Sequence, residues 1–169
     1  MSEKELDFKS NQLLITKTDL NGKFTYCNHD FIQLIGFTER ELLGQRFQSV
    51  CHYDMPHGID HLMWKTLKQK REFNFFIKLK TKQNNSCWAF ANATPFYNVA
   101  GGLSGYTCSL RAPNPAATMM FAMYYEQMLE MENKQKTDAV AQQSLELLTE
   151  LLSATGDDYE ASVFKLQFS

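Results

Sequence analysis

The chain has 169 residues, of which 44% are hydrophobic and 13% aromatic; this composition supplies a buried core and excludes a disordered chain. The formal net charge of −2 comes from 17 basic and 19 acidic residues, so the charge balance does not favour binding to nucleic acid or to an anionic membrane surface. No apolar run approaches the ~20 residues of a membrane-spanning helix, and residues 1–5 lack the apolar core of a signal peptide. We therefore expect a cytoplasmic protein with one domain and an appendage.

The chain opens with the pattern of a β-hairpin. Residues 1–11 are polar and weakly helical in character, and we interpret them as an N-terminal cap. Residues 12–19 and 24–27 carry the β-branched and apolar residues that are typical of strands. Asn21-Gly22 between them is a strong hairpin signal, because both residues tolerate the positive φ that a tight turn needs. The pattern predicts two paired antiparallel strands.

Two short helices are predicted next, each with its own start and stop signals. The first begins after Asn28, a good N-cap, and ends at Gly36, which suits a left-handed C-terminal position. The second begins at Thr38, which spells a Thr-x-x-Glu capping box with Glu41, and it ends at Gly44.

A third helix is predicted over residues 58–70, where the apolar residues fall on one face: Ile59, Leu62, Met63 and Leu67. Asp60 and Trp64 lie one turn apart on this helix. Basic residues collect at its end, where the helix dipole favours positive charge.

Three further strands complete the predicted domain, at residues 72–80, 87–95 and 103–110. The order ββ-ααα-βββ indicates an α+β fold: a five-stranded antiparallel sheet with short helices on one face, within residues 12–111. The second of these strands carries small residues on one side, namely Ala89, Ala91 and Ala93. They would leave space between the sheet and the helices, unless large side chains such as Phe31, Phe73 and Phe75 fill it.

Residues 116–169 are predicted to form a helical extension for signalling or dimerisation. Residues 116–154 contain no Gly or Pro, and a polar gap at 132–138 would interrupt a continuous apolar seam, so we favour two helices over one. The tail at 159–169 suits a short helix or a strand. The Met and Tyr residues at 119–129 suit either helix docking in a dimer or cover for the outer face of the sheet.

The polar cluster at residues 50–57 is the candidate functional stretch. Cys51 lies beside His52, but neighbours on an extended segment point to opposite sides, and no nucleophile elbow, Walker loop or dinucleotide-binding glycine motif is present. We therefore expect no enzymatic activity. His57 and His61 have the i, i+4 spacing of helical zinc ligands but no third ligand at a suitable spacing, so no metal site is expected. The four cysteines form no CxxC pair and are expected to be free thiols.

The order of elements and several motifs resemble the PAS family of sensory domains over roughly residues 10–111. The general marks are TDLNGKFTYCN, NHDFIQLIGFTERELLGQ, HYDMP and GGLSGYTCSLR. The combination of HYDMP with MW, LKQKREF and WAFANATP is most similar to the PAS domain of bacterial aerotaxis receptors. This resemblance implies non-covalently bound FAD and a report of redox or oxygen state to a chemotaxis-type partner.

The resemblance also implies cofactor-binding positions, which are His52, Asp54, Trp64, Asn28, Asn92, Phe73 and Leu79. Phe73 and Leu79 stand where the family usually has Trp and Asn, and Cys51 stands where it usually has a basic residue. A smaller flavin, another ligand, haem, or a cofactor-free scaffold for dimerisation and partner docking remain as alternatives. We expect a homodimer and a signalling partner on the C-terminal helices, with no nucleic acid and no membrane.

Overall fold

The computed structural model describes residues 3–7, 9–134, 137–154 and 156–169. A five-stranded antiparallel sheet has the order β2-β1-β5-β4-β3, built from β1 (Leu14–Thr18), β2 (Phe24–Cys27), β3 (Phe73–Lys80), β4 (Ser86–Tyr97) and β5 (Leu103–Arg111). The α-helices are α1 (His29–Ile35), α2 (Glu39–Leu42), α3 (His57–Lys68), α4 (Pro115–Glu132), α5 (Asp138–Ser153) and α6 (Tyr159–Phe168), and a 3₁₀ helix spans Phe47–Val50. The predicted α+β fold is confirmed.

The capping signals at Asn28, Gly36 and Thr38 are confirmed, whereas α2 ends at Leu42 with Leu43 as its C-cap and not at Gly44. The Asn28 side chain accepts a hydrogen bond from the Phe31 N–H, and α1 ends at Gly36 with φ 77°. Thr38 and Glu41 form both hydrogen bonds of the capping box at α2. These signals are reliable because each joins groups three or four residues apart.

The hairpin between β1 and β2 forms, but its turn differs from the predicted one. Gly22 has φ 74°, whereas Asn21 is not among the described non-glycine residues with positive φ. The Asp19 carboxylate accepts hydrogen bonds from the N–H groups of Asn21 (2.8 Å) and Lys23 (3.0 Å). A five-residue turn organised by Asp19 therefore replaces the two-residue turn.

The N-terminal segment is not helical over residues 3–7, which corrects the weakly helical interpretation. Ser86 donates its N–H to Lys4 O (3.0 Å) and accepts from the Leu6 N–H (2.7 Å). This segment joins the sheet because β5 ends opposite Phe90, so the first residues of β4 have an edge that β5 does not cover. Backbone groups at such an edge need hydrogen-bond partners.

The C-terminal segment forms separate helices, as the polar gap predicted, and its tail is helical. Helix α4 covers the outer face of the sheet, where Phe121 stacks on Phe76 with ring centroids 4.6 Å apart. Helix α5 packs against both α3 and α4, and α6 packs against β3. Within the described ranges, no helix is long and apolar enough to cross a bilayer.

Strand β3 lies at the edge of the sheet, and other parts of the chain cover that edge. Three of its carbonyls accept hydrogen bonds from outside the sheet: Asn74 O from the Tyr159 hydroxyl (3.1 Å), Phe76 O from the Tyr125 hydroxyl (2.7 Å) and Lys78 O from the His52 N–H (2.9 Å). A covered edge cannot pair with another strand. The candidate functional stretch and the C-terminal helices therefore meet on the same strand.

Candidate functional site

A cavity of about 300 Å³ lies between α3, the 3₁₀ helix and β3. Its walls are largely apolar and include Phe47, Met55, Ile59, Met63, Phe75 and Ile77. Small-molecule sites have volumes of about 300–1,000 Å³ with apolar walls and a few polar groups. The cavity therefore has the character of a ligand site at the lower end of that range.

Asp60 is the polar group that α3 presents at the border of the cavity. Its Oδ1 atom accepts hydrogen bonds from Gln48 Nε2 (2.8 Å) and from Trp64 Nε1 (3.1 Å). An open groove of about 600 Å³ shares Gln48, His57 and Asp60 with the cavity. The Gln48–Asp60 hydrogen bond thus stands where the cavity adjoins the groove.

The adjoining groove carries three basic and two acidic side chains. Arg46, Lys65 and Lys68 line it, together with the carboxylates of Asp60 and Asp138. Basic side chains in a groove next to an apolar cavity suit a ligand that combines a ring system with an anionic extension.

His52 is buried, with 3% of its surface exposed, and it lines the cavity. Its Nδ1 accepts a hydrogen bond from the Asp54 N–H (3.1 Å). In the neutral ring this makes Nε2 the protonated nitrogen, which donates to Glu3 Oε2 (3.1 Å). The ring therefore bridges the cavity and the N-terminal segment.

Glu3 is held by several hydrogen bonds at this position. Hydrogen bonds from Ser86 and Tyr53, with a further contribution from His52, lower the pKa of its carboxyl to about 2. The Tyr53 hydroxyl donates to Glu3 Oε2 over 2.8 Å. The ionised carboxylate accepts these bonds and ties the N-terminal segment to the rim of the cavity.

Asp54 lies beside His52 in sequence but does not line the cavity. Its Oδ2 atom forms an ion pair with Lys78 Nζ over 2.8 Å. The residue contributes instead to an outer cleft that Trp88 and Tyr125 also line. The Asp54 N–H contacts His52 Nδ1, and the Asp54 carboxylate lies 3.2 Å from the same nitrogen as well as pairing with Lys78.

Trp64 packs away from the cavity, against the first hairpin. Its ring meets Tyr106 edge-on at 5.5 Å between centroids. A Cβ atom built on Gly22 would lie 2.7 Å from the Trp64 ring, so only glycine fits there. Trp64 lines the adjoining groove and a small void.

The space predicted above the alanine strand is largely filled. The void next to Ala93 measures only about 20 Å³, because Met63, Trp64 and Leu67 occupy this region. The cavity opens over β3 instead, beside Phe75 and Ile77, which corrects the location inferred from the three alanines. Small side chains leave a cavity only where no neighbouring side chain packs into the space.

Asn28 and Leu79 have structural contacts in this fold. Asn28 Oδ1 accepts from the N–H groups of Ile15 (3.0 Å) and Phe31 (3.1 Å), and its Nδ2 donates to Leu13 O (2.9 Å). These bonds join β1 to α1. Leu79 is fully buried in the hydrophobic core.

Asn92 and Phe73 also contact protein groups. Asn92 Nδ2 donates to Asn74 Oδ1 (2.8 Å) and to Glu72 Oε2 (3.1 Å). The Phe73 ring stacks on Tyr159 of α6, with centroids 5.4 Å apart and the planes 6° apart. Within the described part of the chain, His52 alone of the seven predicted positions lines the cavity, and cofactor binding by the seven stays a prediction.

The structure adds residues that the sequence did not single out as ligand contacts. Gln48 and Asp60 supply the polar border, and Phe75 and Ile77 supply the sheet wall. The one-turn spacing of Asp60 and Trp64 on α3 was a usable signal. Nothing in the local pattern pointed to Gln48, because its role depends on contact with a helix that follows it in the chain.

The four cysteines are free. Burial raises the pKa of the Cys27, Cys87 and Cys108 thiols to about 12. Burial, followed by the charge of Asp60, raises the pKa of Cys51 further still. The thiols therefore stay protonated at neutral pH, and protonated thiols react slowly with oxidants.

Two buried hydroxyls, Thr16 Oγ1 and Thr18 Oγ1, have no hydrogen-bond partner among the described residues. Thr18 lines the small void beside Trp64. A buried polar group without a partner costs about 1–3 kcal/mol, so such groups often mark a missing water or ligand. In the same described ranges, no three His, Cys, Asp or Glu residues come together as a metal site.

Comparisons with known proteins identify a matching family model and similar signalling proteins. A family model described as "PAS fold" matches residues 24–110. The aerotaxis receptor of Escherichia coli (strain K12) is 38% identical over 93 residues, which cover 55% of this chain and 18% of that protein. The hybrid signal transduction histidine kinase L of Dictyostelium discoideum is 30% identical over 93 residues, which cover 55% of this chain and 5% of that protein. The chain thus spans less than a fifth of these relatives.

Among solved structures, the PAS domain of the fruit-fly ELK potassium channel has a TM-score of 0.53 to this chain. It is 16% identical, and the match covers 59% of this chain and 85% of that one. At this identity the likeness supports the fold.

Proposed function

We infer the function from one premise: this chain belongs to the PAS family, and its domain is therefore a sensory module of signal transduction. We propose that the domain binds a flat aromatic cofactor, FAD being favoured, in the cavity beside His52. It would report redox or oxygen state through its C-terminal helices to a chemotaxis-type partner. It would act in the cytoplasm, as a homodimer and by signalling rather than by catalysis.

The observation that carries this proposal is the apolar cavity that adjoins a groove containing Arg46, Lys65 and Lys68. Phe75, Ile77 and Met63 can contact a ring system, while Gln48 and Asp60 can pair with its heteroatoms. The cationic side chains of the groove would face the diphosphate of FAD. When bound, a flavin supplies an electron acceptor whose charge and protonation change on reduction.

The residues that line the cavity fit a flavin ring, but the cavity is only just large enough for it. The cavity of about 300 Å³ is small, and the Gln48–Asp60 hydrogen bond stands at its border with the groove. The Thr18 hydroxyl has no partner among the described residues, and Thr18 lines the small void beside Trp64, so a movement of Trp64 would give a polar ligand or water access to it.

A change in the charge or position of the bound ligand would act on the protein at two places, His52 and helix α3. His52 is fixed by the Asp54 N–H and by Glu3, so a new charge nearby acts on the N-terminal segment. Asp60 and Met63 belong to α3, which packs against α5. A ligand that binds one arrangement of these elements better would shift the population toward it.

The buried thiols favour a cavity ligand over cysteine chemistry as the redox-sensing group. A reactive sensor cysteine is exposed and has a lowered pKa. Cys27, Cys87 and Cys108 are buried with pKa values raised to about 12. The sensing group would therefore be a bound molecule.

A second candidate is a cofactor-free PAS scaffold for dimerisation and partner docking. The observation that favours it is the filled space above Ala93, with a void of only about 20 Å³. Haem has less support, because the His52 ring nitrogens pair with Glu3 and with the Asp54 N–H.

The absorbance spectrum of natively purified protein tests the proposal. An oxidised flavin should give bands near about 370 and 450 nm. Gln48→Trp should lower the ratio of flavin to protein severalfold, since a larger side chain enters the border of the cavity. Val99→Trp is the matched control, because Val99 is fully exposed.

Full flavin occupancy in Gln48→Trp would contradict the proposed site. A spectrum without flavin bands, in protein that carries no ligand detectable by mass spectrometry, would contradict FAD and favour the cofactor-free scaffold. A Soret band would identify haem instead.

A further inference from the structure

A buried carboxylate, Glu132, joins three helices next to the cavity. It is 5% exposed and lies at the last residue of α4. It accepts hydrogen bonds from the backbone N–H groups of His57 (2.6 Å) and Gly58 (2.9 Å), and from the Ser144 hydroxyl (2.6 Å). The first two donors belong to α3 and the third belongs to α5. One side chain therefore holds three helices together.

Helix α3 depends on this carboxylate because it has no local cap. Its N-cap residue is Pro56, which makes no side-chain hydrogen bond. The first N–H groups of any helix lack partners within the helix, and a carboxylate there is favoured by the helix dipole. Glu132 satisfies two of them from a position 75 residues later in the chain than His57.

The same turn of α3 touches both α5 and the cavity. A Cβ on Gly58 would lie 2.5 Å from Ser144 Oγ and 3.0 Å from Ala141 O, so glycine permits this close approach to α5. His57, Ile59 and Asp60 line the cavity. A displacement of this turn therefore changes the cavity wall and the contact with α5 together.

We propose that Glu132 is the coupling residue of a conformational switch between the cavity and the C-terminal helices. A ligand change that displaces the first turn of α3 removes the donors of His57 and Gly58 from the carboxylate. An ionised carboxylate without donors is not stable in a buried position, so it must regain water. Water can reach the carboxylate when α5 separates from α3. The switch therefore has two states, one with α5 packed against α3 and one with α5 separated from it.

Hydrogen exchange measured by mass spectrometry on the full chain tests the coupling. Glu132→Gln keeps the shape of the side chain but replaces one acceptor oxygen with an NH₂ group, which cannot accept from an N–H. Since hydrogen bonds to charged groups are strong, we expect exchange to rise about tenfold in α5 and in the first turn of α3. Glu130→Gln is the control, because Glu130 lies exposed on the same helix.

Ser144→Ala separates the two arms of the cluster. It removes the α5 donor but leaves both α3 donors, so exchange should rise in α5 and stay unchanged at residues 57–60. Unchanged α5 exchange in both variants would overturn the coupling. Equal increases throughout the sheet and helices would overturn it too, because they would show global destabilisation in place of a local switch.

The inference rests on the proposed function for the identity of the ligand. Dithionite reduction of flavin-loaded protein should raise α5 exchange in the wild type and add little in Glu132→Gln. A protein that binds no flavin contradicts the proposed function and leaves the exchange results of the variants intact. Unchanged exchange in the variants contradicts the coupling and leaves the spectrum intact.

Discussion

Tyr125→Phe tests whether α4 is held to the sheet by a hydrogen bond as well as by apolar packing. The Tyr125 hydroxyl donates to Phe76 O over 2.7 Å, and the residue is 1% exposed. The substitution removes one oxygen atom and keeps the ring that packs on Trp88 and Phe121. Cavity formation therefore contributes little, and the effect comes from the hydrogen bond.

The expected loss of stability in Tyr125→Phe follows from the burial of both hydrogen-bond partners, the Tyr125 hydroxyl and the Phe76 carbonyl. A net hydrogen bond contributes about 1 kcal/mol, and a buried carbonyl left without its partner costs about 1–3 kcal/mol. We expect Tyr125→Phe to lower the free energy of unfolding by about 1–2 kcal/mol. Equilibrium urea denaturation followed by circular dichroism measures this as a lower midpoint with an unchanged m-value.

Tyr97→Phe is the matched control, because Tyr97 is 46% exposed on the same sheet. Tyr97→Phe should change the free energy of unfolding by no more than about 0.5 kcal/mol. If both variants lose equally little stability, α4 is held by apolar contacts alone and the reasoning about the β3 edge is refuted. Burial also raises the pKa of Tyr125, so its contribution is complete below the ordinary tyrosine pKa and falls as pH rises above it.

Two further predictions concern Glu3 and Gly22. The pKa of Glu3 is lowered to about 2, so its contribution to stability is complete above the ordinary value of 4.5 and is lost as pH falls from 4.5 towards 2. Urea midpoints of wild type and Glu3→Gln should therefore converge as the pH falls through this window. Gly22→Ala should lower the unfolding free energy by more than about 1 kcal/mol, because φ is positive and the new methyl group meets Trp64. Gly101→Ala, with φ 82° and no neighbour within 4 Å, measures the cost of φ alone.

Each of these two predictions has a contrary outcome. A constant difference between wild type and Glu3→Gln from pH 6 to pH 3 would show that the carboxylate network at His52 does not stabilise the fold. Equal losses in Gly22→Ala and Gly101→Ala would show that Trp64 adjusts at no cost, and that its packing on the hairpin is loose.

The covered edge of β3 suggests why the candidate stretch and the C-terminal helices are linked. Tyr159, Tyr125 and the His52 backbone each bond one carbonyl of this strand. A change that moves His52 therefore acts on the same strand that α4 and α6 hold. This route runs through β3, whereas the Glu132 cluster joins α3, α4 and α5, so the exchange experiment separates them.

The sequence by itself determined the five strands, helices α1 to α5 and their order, but it did not predict the 3₁₀ helix at Phe47–Val50 or decide between helix and strand for the tail. Asn28, Thr38 and Gly36 predicted helix ends correctly, because capping joins groups three or four residues apart. Alternation of side chains predicted the strands, and the polar gap predicted the break between α4 and α5. The same local marks carried the resemblance to the PAS family, which the comparisons confirmed.

Only the tertiary structure decided where the cavity lies and which groups face it. The alanines of β4 predicted space, but Met63, Trp64 and Leu67 from α3 fill it, and the cavity opens over β3. The bonds of Glu132 join residues up to 75 positions apart, a separation that no local pattern records. Caps and turns obey short-range sterics, whereas a void or a buried carboxylate depends on how distant segments pack.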